Sequence, residues 1–280
     1  MDKLNILIIG TNSIISNKLV ASLGLENNMH IFLKKHTIDY VYDLNFNYYP
    51  IESLDIDIVL HLSTLKKGSN SQIYEANIVY PLKLIEKLNS NFIFINIDTT
   101  SYEYRDNPYS HSKKVFKELL KISQYKFINL RIEHIYGYYP SYNLTSFLIE
   151  NMLKNNHIDL SNGEQIRNFL YIDDLISAII ICIKNIKQLE YNSNIDITSN
   201  DNLSIKELAN LIKVLTNSKS DLNFDKLSID KREFRMVDFD NIKIKRLGWK
   251  QKNSLITGIK NEIQEIKNEI QEIKNEISKR

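Results

Sequence analysis

The chain is poor in several residue types, and each scarcity excludes a class of protein. The single cysteine, Cys182, excludes an internal disulfide, and its place in the apolar run 178–183 predicts a buried thiol. With 7 glycines and 4 prolines among 280 residues, the composition is neither collagen-like nor of low complexity. No apolar run is long enough to cross a bilayer, and the run 4–9 is too short for a signal-peptide core. We therefore expect a cytoplasmic protein without membrane insertion.

An excess of charge of one sign is also lacking. Lys+Arg number 36 and Asp+Glu number 34, which gives a formal net charge of +2. Proteins that bind nucleic acid usually carry a strongly basic face, so we expect no nucleic-acid partner. The balance still leaves room for a local basic patch that binds a small phosphate ligand. Hydrophobic residues make up 43% of the chain, which predicts a sizeable globular core.

Short apolar runs alternate with longer periodic segments in the first half of the chain. The runs predict buried strands at residues 4–9, 30–33, 56–60, 92–97 and 127–130, and the periodic segments predict helices at 14–23, 73–88 and 109–122. This alternation is typical of an α/β fold with a doubly wound parallel sheet. Such sheets bind ligands at the carboxyl ends of their strands.

The pattern loosens after about residue 138, which predicts a smaller C-terminal substrate domain. We assign residues 1–137 mainly to the sheet domain, with 166–186 returning to it. Residues 138–165 and 187–258 then form the substrate-binding part, and 259–280 form a helical heptad tail.

The tail repeats the heptad Asn-Glu-Ile-Gln-Glu-Ile-Lys at residues 261–267 and 268–274. Isoleucines at 263, 266, 270, 273 and 277 form one apolar seam on a helix. Glutamates fall at heptad position g and lysines at e, so parallel chains can pair Glu269 with Lys274 of a neighbour. We therefore expect a homo-oligomer assembled through a coiled coil of 261–280. The alternative is a helix that packs its seam on its own domain.

The first predicted strand runs into the segment Gly10-Thr-Asn-Ser-Ile-Ile-Ser16. A dinucleotide-binding turn needs glycines for the tight turn, for the approach of the backbone to pyrophosphate, and for helix–strand packing. Gly10 keeps the first of these places, and the small residues Ser13 and Ser16 fill the others. The N-terminus of the following helix attracts phosphate. The alternative is an ordinary turn.

Two lysines follow the second predicted strand. An acidic residue at this place binds the ribose hydroxyls of NAD, whereas a basic one accommodates the 2′-phosphate of NADP. Lys34 and Lys35 therefore favour NADP, with NAD as the alternative cofactor. Solvated surface lysines would explain the pair equally well.

The strongest catalytic pattern is Tyr109-Ser-His-Ser-Lys113. This spacing places Tyr109 and Lys113 on one face of a helix. A phenol normally titrates near 10, and a neighbouring ammonium lowers that value by stabilising the phenolate, so the tyrosine can exchange a proton near neutral pH. The helix follows the strand that ends in Thr99 and Thr100, and either hydroxyl can hydrogen-bond a carbonyl being reduced. We favour Thr99.

These motifs occur in the order seen in the extended short-chain dehydrogenase/reductases, the NAD-dependent epimerases and dehydratases with a Rossmann-type sheet. Residues 3 to about 260 resemble that family. The stretches that carry the resemblance are 10–16, 61–63, Thr99, Tyr109 with Lys113, 130–137, 163–174 and 247–249. Two features depart from the family pattern, namely the degraded glycine fingerprint and the short gap between Thr99 and Tyr109.

The resemblance implies a role for each matching residue. Tyr109 is the proton donor, Lys113 binds the nicotinamide ribose and tunes Tyr109, and Thr99 orients the ketone. The implied cofactor contacts are Gly10, Asn12, Ser13, Ile14, Ile15, Lys34, Lys35, Asp43, Leu44, His61, Leu62, Ser63, Asn77, Ile97, Tyr109, Lys113, Ile132 and His134. The implied substrate contacts are Thr64, Thr99, Thr100, Glu133 and Arg167, with the Arg167 guanidinium facing a diphosphate.

The resemblance also implies a function. The expected activity is NAD(P)H-dependent reduction of the C4 ketone of a nucleotide-linked 4-keto-6-deoxy sugar, for surface polysaccharides such as O-antigen or capsule. The stretches 77–84, 131–134 and 163–167 resemble reductases of CDP-linked sugars, although dTDP- and GDP-linked substrates stay open. A nucleotide-sugar epimerase with tightly bound NAD and a non-catalytic dinucleotide sensor are the alternatives. The histidines show no metal-ligand spacing, and we expect no metal.

Overall fold

The computed structural model describes residues 3–26, 28–34, 40–88, 91–137 and 143–278. The chain divides into two compact units. The first unit comprises residues 1–132, 179–197 and 240–248. The second comprises residues 133–178, 198–239 and 249–280.

The elements are numbered along the whole chain. The strands are β1 (Leu4–Ile9), β2 (Met29–Lys34), β3 (Val41–Asp43), β4 (Tyr48–Tyr49), β5 (Ile58–His61), β6 (Ile93–Thr99), β7 (Lys126–Ile132), β8 (His134–Tyr136), β9 (Ile158–Asp159), β10 (Ile166–Tyr171), β11 (Ser193–Asp196), β12 (Asn202–Ser204) and β13 (Leu222–Asn223). The helices are α1 (Ile14–Leu23), α2 (Asn70–Tyr74), α3 (Tyr80–Ile85), α4 (Pro108–Ile122), α5 (Leu144–Leu153), α6 (Ile172–Lys184), α7 (Ile205–Thr216), α8 (Ile242–Arg246) and α9 (Leu255–Ser278). Short 3₁₀ turns lie at Ile51–Ser53, Ser101–Glu103, Ile186–Gln188 and Lys231–Phe234.

The first unit contains one sheet of eight strands in the order β11-β7-β6-β5-β1-β2-β3-β4. From β11 to β2 all neighbours are parallel, and β3 and β4 extend the sheet antiparallel. The chain leaves β1 towards β2 on one side, and β5, β6 and β7 follow on the other. The order of the strands therefore reverses between β1 and β5, which is where doubly wound sheets bind their ligands. The predicted α/β fold class is confirmed.

The predicted helix 73–88 is interrupted in the structure. A π-helical segment, Glu75–Val79, separates α2 from α3. Pro81 stands at the start of α3, and a proline has no N–H for a helical hydrogen bond to the preceding turn. A widened turn at this place is the structural consequence, and such turns are frequent at functional sites.

The second unit contains two small sheets. One has the order β12-β10-β8 and the other pairs β13 with β9. The segment 166–186, which we assigned to the sheet domain from the sequence, is divided between the units. Its strand β10 pairs with β8 and β12 in the second unit, while residues from Ile179 onwards belong to the first.

The C-terminal helix buries the first part of its apolar seam and exposes a later part. Helix α9 begins at Leu255, and its Ile259, Ile263 and Ile266 are buried within this chain, whereas Ile273 is 48% exposed. The first heptad of the repeat thus packs on its own unit. Among the described residues, the seam is exposed after Ile266, so the part of the tail beyond it is open to a partner, and the coiled coil stays a prediction.

Two further sequence features have structural counterparts. Cys182 is fully buried, and burial raises the pKa of its thiol to about 12. A thiol of this kind stays protonated and is unreactive. None of the described helices has the length and apolar character needed to cross a membrane.

Candidate active site

The residues of the predicted cofactor turn lie at the carboxyl end of β1, beside the end of β5. Gly10 has a φ of +94°, a conformation that residues with a side chain rarely adopt. A Cβ at this place would lie 2.5 Å from the Ser63 nitrogen and 2.6 Å from the Ser63 Cα. Leu62 continues the pairing by donating its N–H to the Ile9 carbonyl at 2.9 Å. The backbones of the two strand ends thus meet closely, and only glycine fits.

The two serines of the turn bind each other. Ser13 caps α1: its Oγ accepts the Ser16 N–H at 3.1 Å, and the Ser16 hydroxyl donates to the Ser13 carbonyl at 2.7 Å. Ser16 is fully buried, so it fills the place where the fingerprint has a glycine for close helix packing. Both hydroxyls are satisfied locally, which explains how serine replaces glycine here.

The start of α1 suits an anionic group. Its first turn, which follows the exposed Asn12 and includes Ile14 and Ile15, has no acidic residue. The Thr11 Oγ1 just before it is buried and has no hydrogen-bond partner among the described residues. N–H groups at a helix start, together with the helix dipole, attract phosphate. The residues present therefore fit the pyrophosphate of a dinucleotide.

The region predicted to hold the adenosine is partly described. Lys34 ends β2 and is only 7% exposed, while Lys35 lies outside the described residues. The Asp43 carboxylate accepts hydrogen bonds from the Asn45 N–H, the Asn47 N–H and side chain, and the Tyr49 hydroxyl. The Asn47 side chain is the main reason that the pKa of Asp43 is lowered. Asp43 thus organises its own turn, and Leu44 is exposed beside it.

Helix α4 places the Tyr109 and Lys113 pair beside the end of β6. Asn107 caps the helix by accepting the Ser110 N–H at 2.8 Å, and Pro108 stands in the first turn, where its missing N–H costs nothing. Lys113 is 3% exposed, and its Nζ donates to the Ile97 carbonyl at 2.6 Å. Tyr109, one turn earlier, is half-buried. The chain thus presents a fixed ammonium and an accessible phenol on one helix.

A second ammonium near Tyr109 was not predicted from the sequence. The Nζ of Lys66, in the segment after β5, lies 6.0 Å from the centre of the Tyr109 ring. An ammonium at this distance from an aromatic ring interacts favourably with it. Lys66 carries no helical or strand periodicity that relates it to Tyr109, so only the folded chain shows their proximity.

The two threonines at the end of β6 differ in their surroundings. The Thr99 Oγ1 accepts the Ser101 N–H at 3.2 Å, so its own hydrogen is left to donate. Thr100 is fully buried, its N–H donates to the Ile132 carbonyl, and its Oγ1 has no partner among the described residues. Thr99 is itself only 8% exposed, so the choice between the two hydroxyls stays a prediction.

Asn77 fastens the segment after β5 to α4. Its Oδ1 accepts the Leu65 N–H at 2.7 Å, and its Nδ2 donates to the Leu65 carbonyl at 3.0 Å and to the Ser112 Oγ at 2.9 Å. The Thr64 hydroxyl reaches the same Oδ1 at 3.5 Å. Because Asn77 sits in the π-helical segment, that widened turn aims a buried amide at this junction. Asn77 thus fixes the position of the segment in which Thr64 lies.

His61 lies beneath this junction, fully inside the unit. Its Nδ1 is 3.1 Å from the Asn96 Oδ1, and its ring packs between Phe94 and Phe116. Burial is the main reason that the pKa of His61 is lowered to about 3, so the imidazole is neutral at physiological pH.

The residues predicted to contact substrate from the second unit form an ionic cluster. Arg167 is 2% exposed; its guanidinium donates to the Glu233 carbonyl at 2.6 Å and carboxylate at 3.0 Å, and lies 3.5 Å from Glu133. The other Glu133 oxygen accepts the Asn168 N–H at 2.6 Å. His134 stacks on Phe169. A diphosphate at Arg167 therefore has to compete with two carboxylates, and this contact stays a prediction.

No group of three metal-ligating side chains occurs among the residues that the structure describes.

Comparisons with known proteins agree with the fold. Residues 49–197 match the model of the NAD dependent epimerase/dehydratase family. A CDP-abequose synthase from Salmonella muenchen is 29% identical over 91% of this chain and 95% of its own length. Among solved structures, a UDP-glucose 4-epimerase from Thermotoga maritima covers 95% of this chain and 100% of its own with a TM-score of 0.75 at 21% identity. A GDP-mannoheptose C4 reductase from Campylobacter jejuni with NADP bound covers 95% and 98% with a TM-score of 0.71 at 20% identity.

Proposed function

Because this chain belongs to the NAD-dependent epimerase/dehydratase family, and is thus an NAD(P)-dependent oxidoreductase, we propose that it reduces the C4 ketone of a nucleotide-linked 4-keto-6-deoxy sugar. The proposed reductant is NADPH. A CDP-linked substrate, used for surface polysaccharide synthesis, is supported by the relative that makes CDP-abequose and by the sequence stretches that resemble reductases of CDP-linked sugars.

The observation that supports the proposal is that Tyr109 and Lys113 stand one turn apart on α4, with the Lys113 Nζ bound to the Ile97 carbonyl near the end of β6. A nicotinamide held at this end of the sheet would supply the hydride for the ketone carbon. Tyr109 donates its phenolic proton to the ketone oxygen, and the Lys113 ammonium stabilises the phenolate that is left. The Ile97 carbonyl holds that ammonium in place at 2.6 Å.

Thr99 completes the proposed constellation. Its hydroxyl hydrogen is available to the ketone oxygen, because the Thr99 oxygen itself is held by the Ser101 N–H. The Ser101 hydroxyl lies 2.9 Å from the Ser110 hydroxyl, which fastens the strand end to α4 next to Tyr109. Groups fixed in this way lower the barrier by orienting the reactants before the reaction begins.

A dehydratase activity is not favoured. The 4,6-dehydratases of this family commonly carry an acidic pair directly after the threonine, and here Thr100 and Ser101 stand in those places. Neither hydroxyl is a suitable acid or base near neutral pH.

The test is incubation of the purified protein with NADPH and a CDP-4-keto-6-deoxyhexose. A reductase consumes NADPH in a one-to-one ratio with the ketone. Interconversion of a keto-free nucleotide-sugar without net cofactor consumption would instead identify an epimerase, and binding without turnover would identify a sensor. Tyr109→Phe is expected to abolish turnover, and Tyr125→Phe, whose ring stacks on Phe92 away from the site, is the matched control.

We further propose that the exposed end of α9 mediates self-association. After Ile266 the helix is exposed on most sides and carries Ile270 and Ile273 on one seam, with Glu269 and Lys274 at flanking positions. Apolar seams of this spacing with opposite charges at e and g are what coiled coils use.

A further inference from the structure

One face of the large sheet changes from apolar to polar along its strands. On the side covered by α4, Phe94 is followed by Asn96 and Asp98 on β6. On β7, Phe127 is followed by Asn129 and Arg131 in the same way. The strand β11 repeats the polar part with Asn194 and Asp196, in register with Asn129 and Arg131. Asp98, Arg131 and Asp196 stand at the carboxyl ends of their strands, while Asn96 and Asn129 stand at the middle of theirs.

The amides of this face form a hydrogen-bonded row across the sheet. The row begins at the His61 ring, whose Nδ1 contacts the Asn96 Oδ1. The Asn96 Nδ2 then donates to the Asn129 Oδ1 at 2.7 Å. The Asn129 Nδ2 donates in turn to the Asn194 Oδ1 at 3.2 Å and to the Asp98 Oδ2 at 2.8 Å. Each amide is fixed by its neighbours, so the row holds the Asp98 carboxylate at a defined position.

Asp98 is itself buried and bound only by donors. Its Oδ1 accepts the Thr99 N–H at 2.8 Å, and its Oδ2 accepts the Tyr102 hydroxyl at 3.0 Å as well as Asn129. The Tyr102 oxygen accepts the Lys117 Nζ at 2.8 Å. A protonated carboxyl would need an acceptor for its own hydrogen, so this set of donors matches an ionised carboxylate.

The carboxylate faces two lysines that stand one turn apart on α4. Lys117 reaches it through the Tyr102 hydroxyl. Lys113 binds the carbonyl of Ile97, the residue directly before Asp98. A buried ammonium without a compensating anion tends to lose its proton. Asp98 is the carboxylate of β6 that is placed to supply this compensation.

We propose that Asp98 is a positioning residue that keeps Lys113 protonated and thereby sets the pH range in which Tyr109 works. The proposal rests on the proposed function only for its effect on turnover. Its physical content, the coupling between one carboxylate and one ammonium, can be measured without substrate.

The charges around Lys113 support this assignment. Burial lowers the pKa of Lys113, Asp98 is the group that opposes this, and Lys66 lowers it further. Burial likewise raises the pKa of Asp98, and Lys113 and Lys117 oppose that shift. Burial therefore shifts the two pKa values in opposite directions, and the charge of each partner opposes the shift of the other, as in a mutually stabilised ion pair.

The other titratable groups on the surrounding elements do not replace Asp98. On β5, His61 is neutral, and after β5 Lys66 adds a like charge. On β7, Arg131 is bound by Asp196 of β11 at 2.6 Å and by Glu103 at 3.1 Å. Those two carboxylates are engaged with Arg131, which leaves Asp98 as the counter-charge for α4.

The experiment is an NMR titration of the lysine side chains in the substrate-free full-length protein, with Lys113 assigned by the signal lost in Lys113→Met. In Asp98→Asn the Lys113 pKa is expected to fall by about one to three units, because an opposite charge shifts a neighbouring pKa by roughly that amount. Asp98→Glu, which keeps the charge, should restore most of the shift. Glu103→Gln, which removes a carboxylate that faces Arg131, is the matched control and should leave Lys113 unchanged.

Turnover gives a second readout. If the chain is a ketoreductase, the alkaline limb of its pH profile should move to lower pH in Asp98→Asn by the same amount as the Lys113 titration. A uniform loss of activity with an unshifted profile would show a merely structural role. An unchanged Lys113 titration in Asp98→Asn would overturn the proposal whether or not the protein reduces ketones.

A reciprocal variant covers the case in which Asp98→Asn does not fold. In Lys113→Met, a carbon-13 titration of the Asp98 carboxyl should show a higher pKa than in the wild-type protein. No change there would equally overturn the coupling.

Discussion

Replacement of Gly10 by alanine tests the geometry of the cofactor turn. The new Cβ would lie 2.5 Å and 2.6 Å from two backbone atoms of Ser63, and neither can rotate away. The residue would also have to keep a φ of +94°. Such backbone strain costs about 1–3 kcal/mol, and overpacking costs a further 1–3 kcal/mol or so. We therefore expect Gly10→Ala to lower the free energy of unfolding by roughly 2–6 kcal/mol.

A matched glycine separates the two contributions. Gly248 has a φ of +90°, and a Cβ there would meet nothing within 4 Å. Gly248→Ala therefore carries the strain without the collision, and should cost only about 1–3 kcal/mol.

The assay is urea unfolding of both variants, followed by fluorescence titration with NADPH. The affinity for NADPH should fall at least tenfold in Gly10→Ala, because the strand ends at the pyrophosphate turn are forced apart, and should stay unchanged in Gly248→Ala. Equal unfolding costs for the two variants, or an unaltered NADPH affinity in a folded Gly10→Ala, would refute the role given to this close approach.

Three further predictions follow from other parts of the chain. Burial raises the pKa of Glu262 from 4.5 to about 7, so the stability that its proton contributes is present below pH 4.5 and lost as the pH rises through 7. The free energy of unfolding, measured with urea at pH 5 and pH 8, should therefore lose about 3 kcal/mol of this pH dependence in Glu262→Gln. The exposed Glu272→Gln is the control and should keep it. An identical pH dependence in Glu262→Gln and wild type would contradict this. Truncation after Lys267 keeps the buried first heptad and should lower the subunit count in light scattering, whereas an unchanged count would exclude the coiled coil. Lys35→Glu should raise the Michaelis constant for NADPH about tenfold relative to the Michaelis constant for NADH. Lys87→Glu is the surface control. Equal constants for the two cofactors in the wild-type protein would remove the argument for NADP.

The fold class was predictable because its signals are local. A buried strand, the turn at Gly10 and a capped helix follow one another within a few residues, and apolar runs repeat this alternation. The strand β11 escaped prediction, since Asn194 and Asp196 make it polar. Its pattern repeats Asn96 with Asp98 and Asn129 with Arg131, and that repetition was the available signal. Its meaning depends on which strands are neighbours, and this is decided by contacts distant in sequence.

The C-terminal helix shows a different limit. The isoleucine spacing correctly predicts a helix with one apolar seam, because periodicity is a property of the segment itself. The same seam can bury its apolar surface equally well against its own unit or against another chain. For Ile263 and Ile266 the structure shows the first of these, and no feature of the heptad distinguishes the two.

The central claim is reduction at C4 with Tyr109 as the proton donor, and isotope transfer tests it most directly. The protein would be given NADPH deuterated at the transferable position of the nicotinamide, together with the CDP-linked 4-keto-6-deoxy sugar, and the product examined by NMR. The account predicts one deuterium on C4 of the sugar with the wild-type protein, and no labelled product above background with Tyr109→Phe, because that variant does not turn over. Deuterium at another carbon, or labelling of C4 by Tyr109→Phe at the wild-type rate, would contradict it.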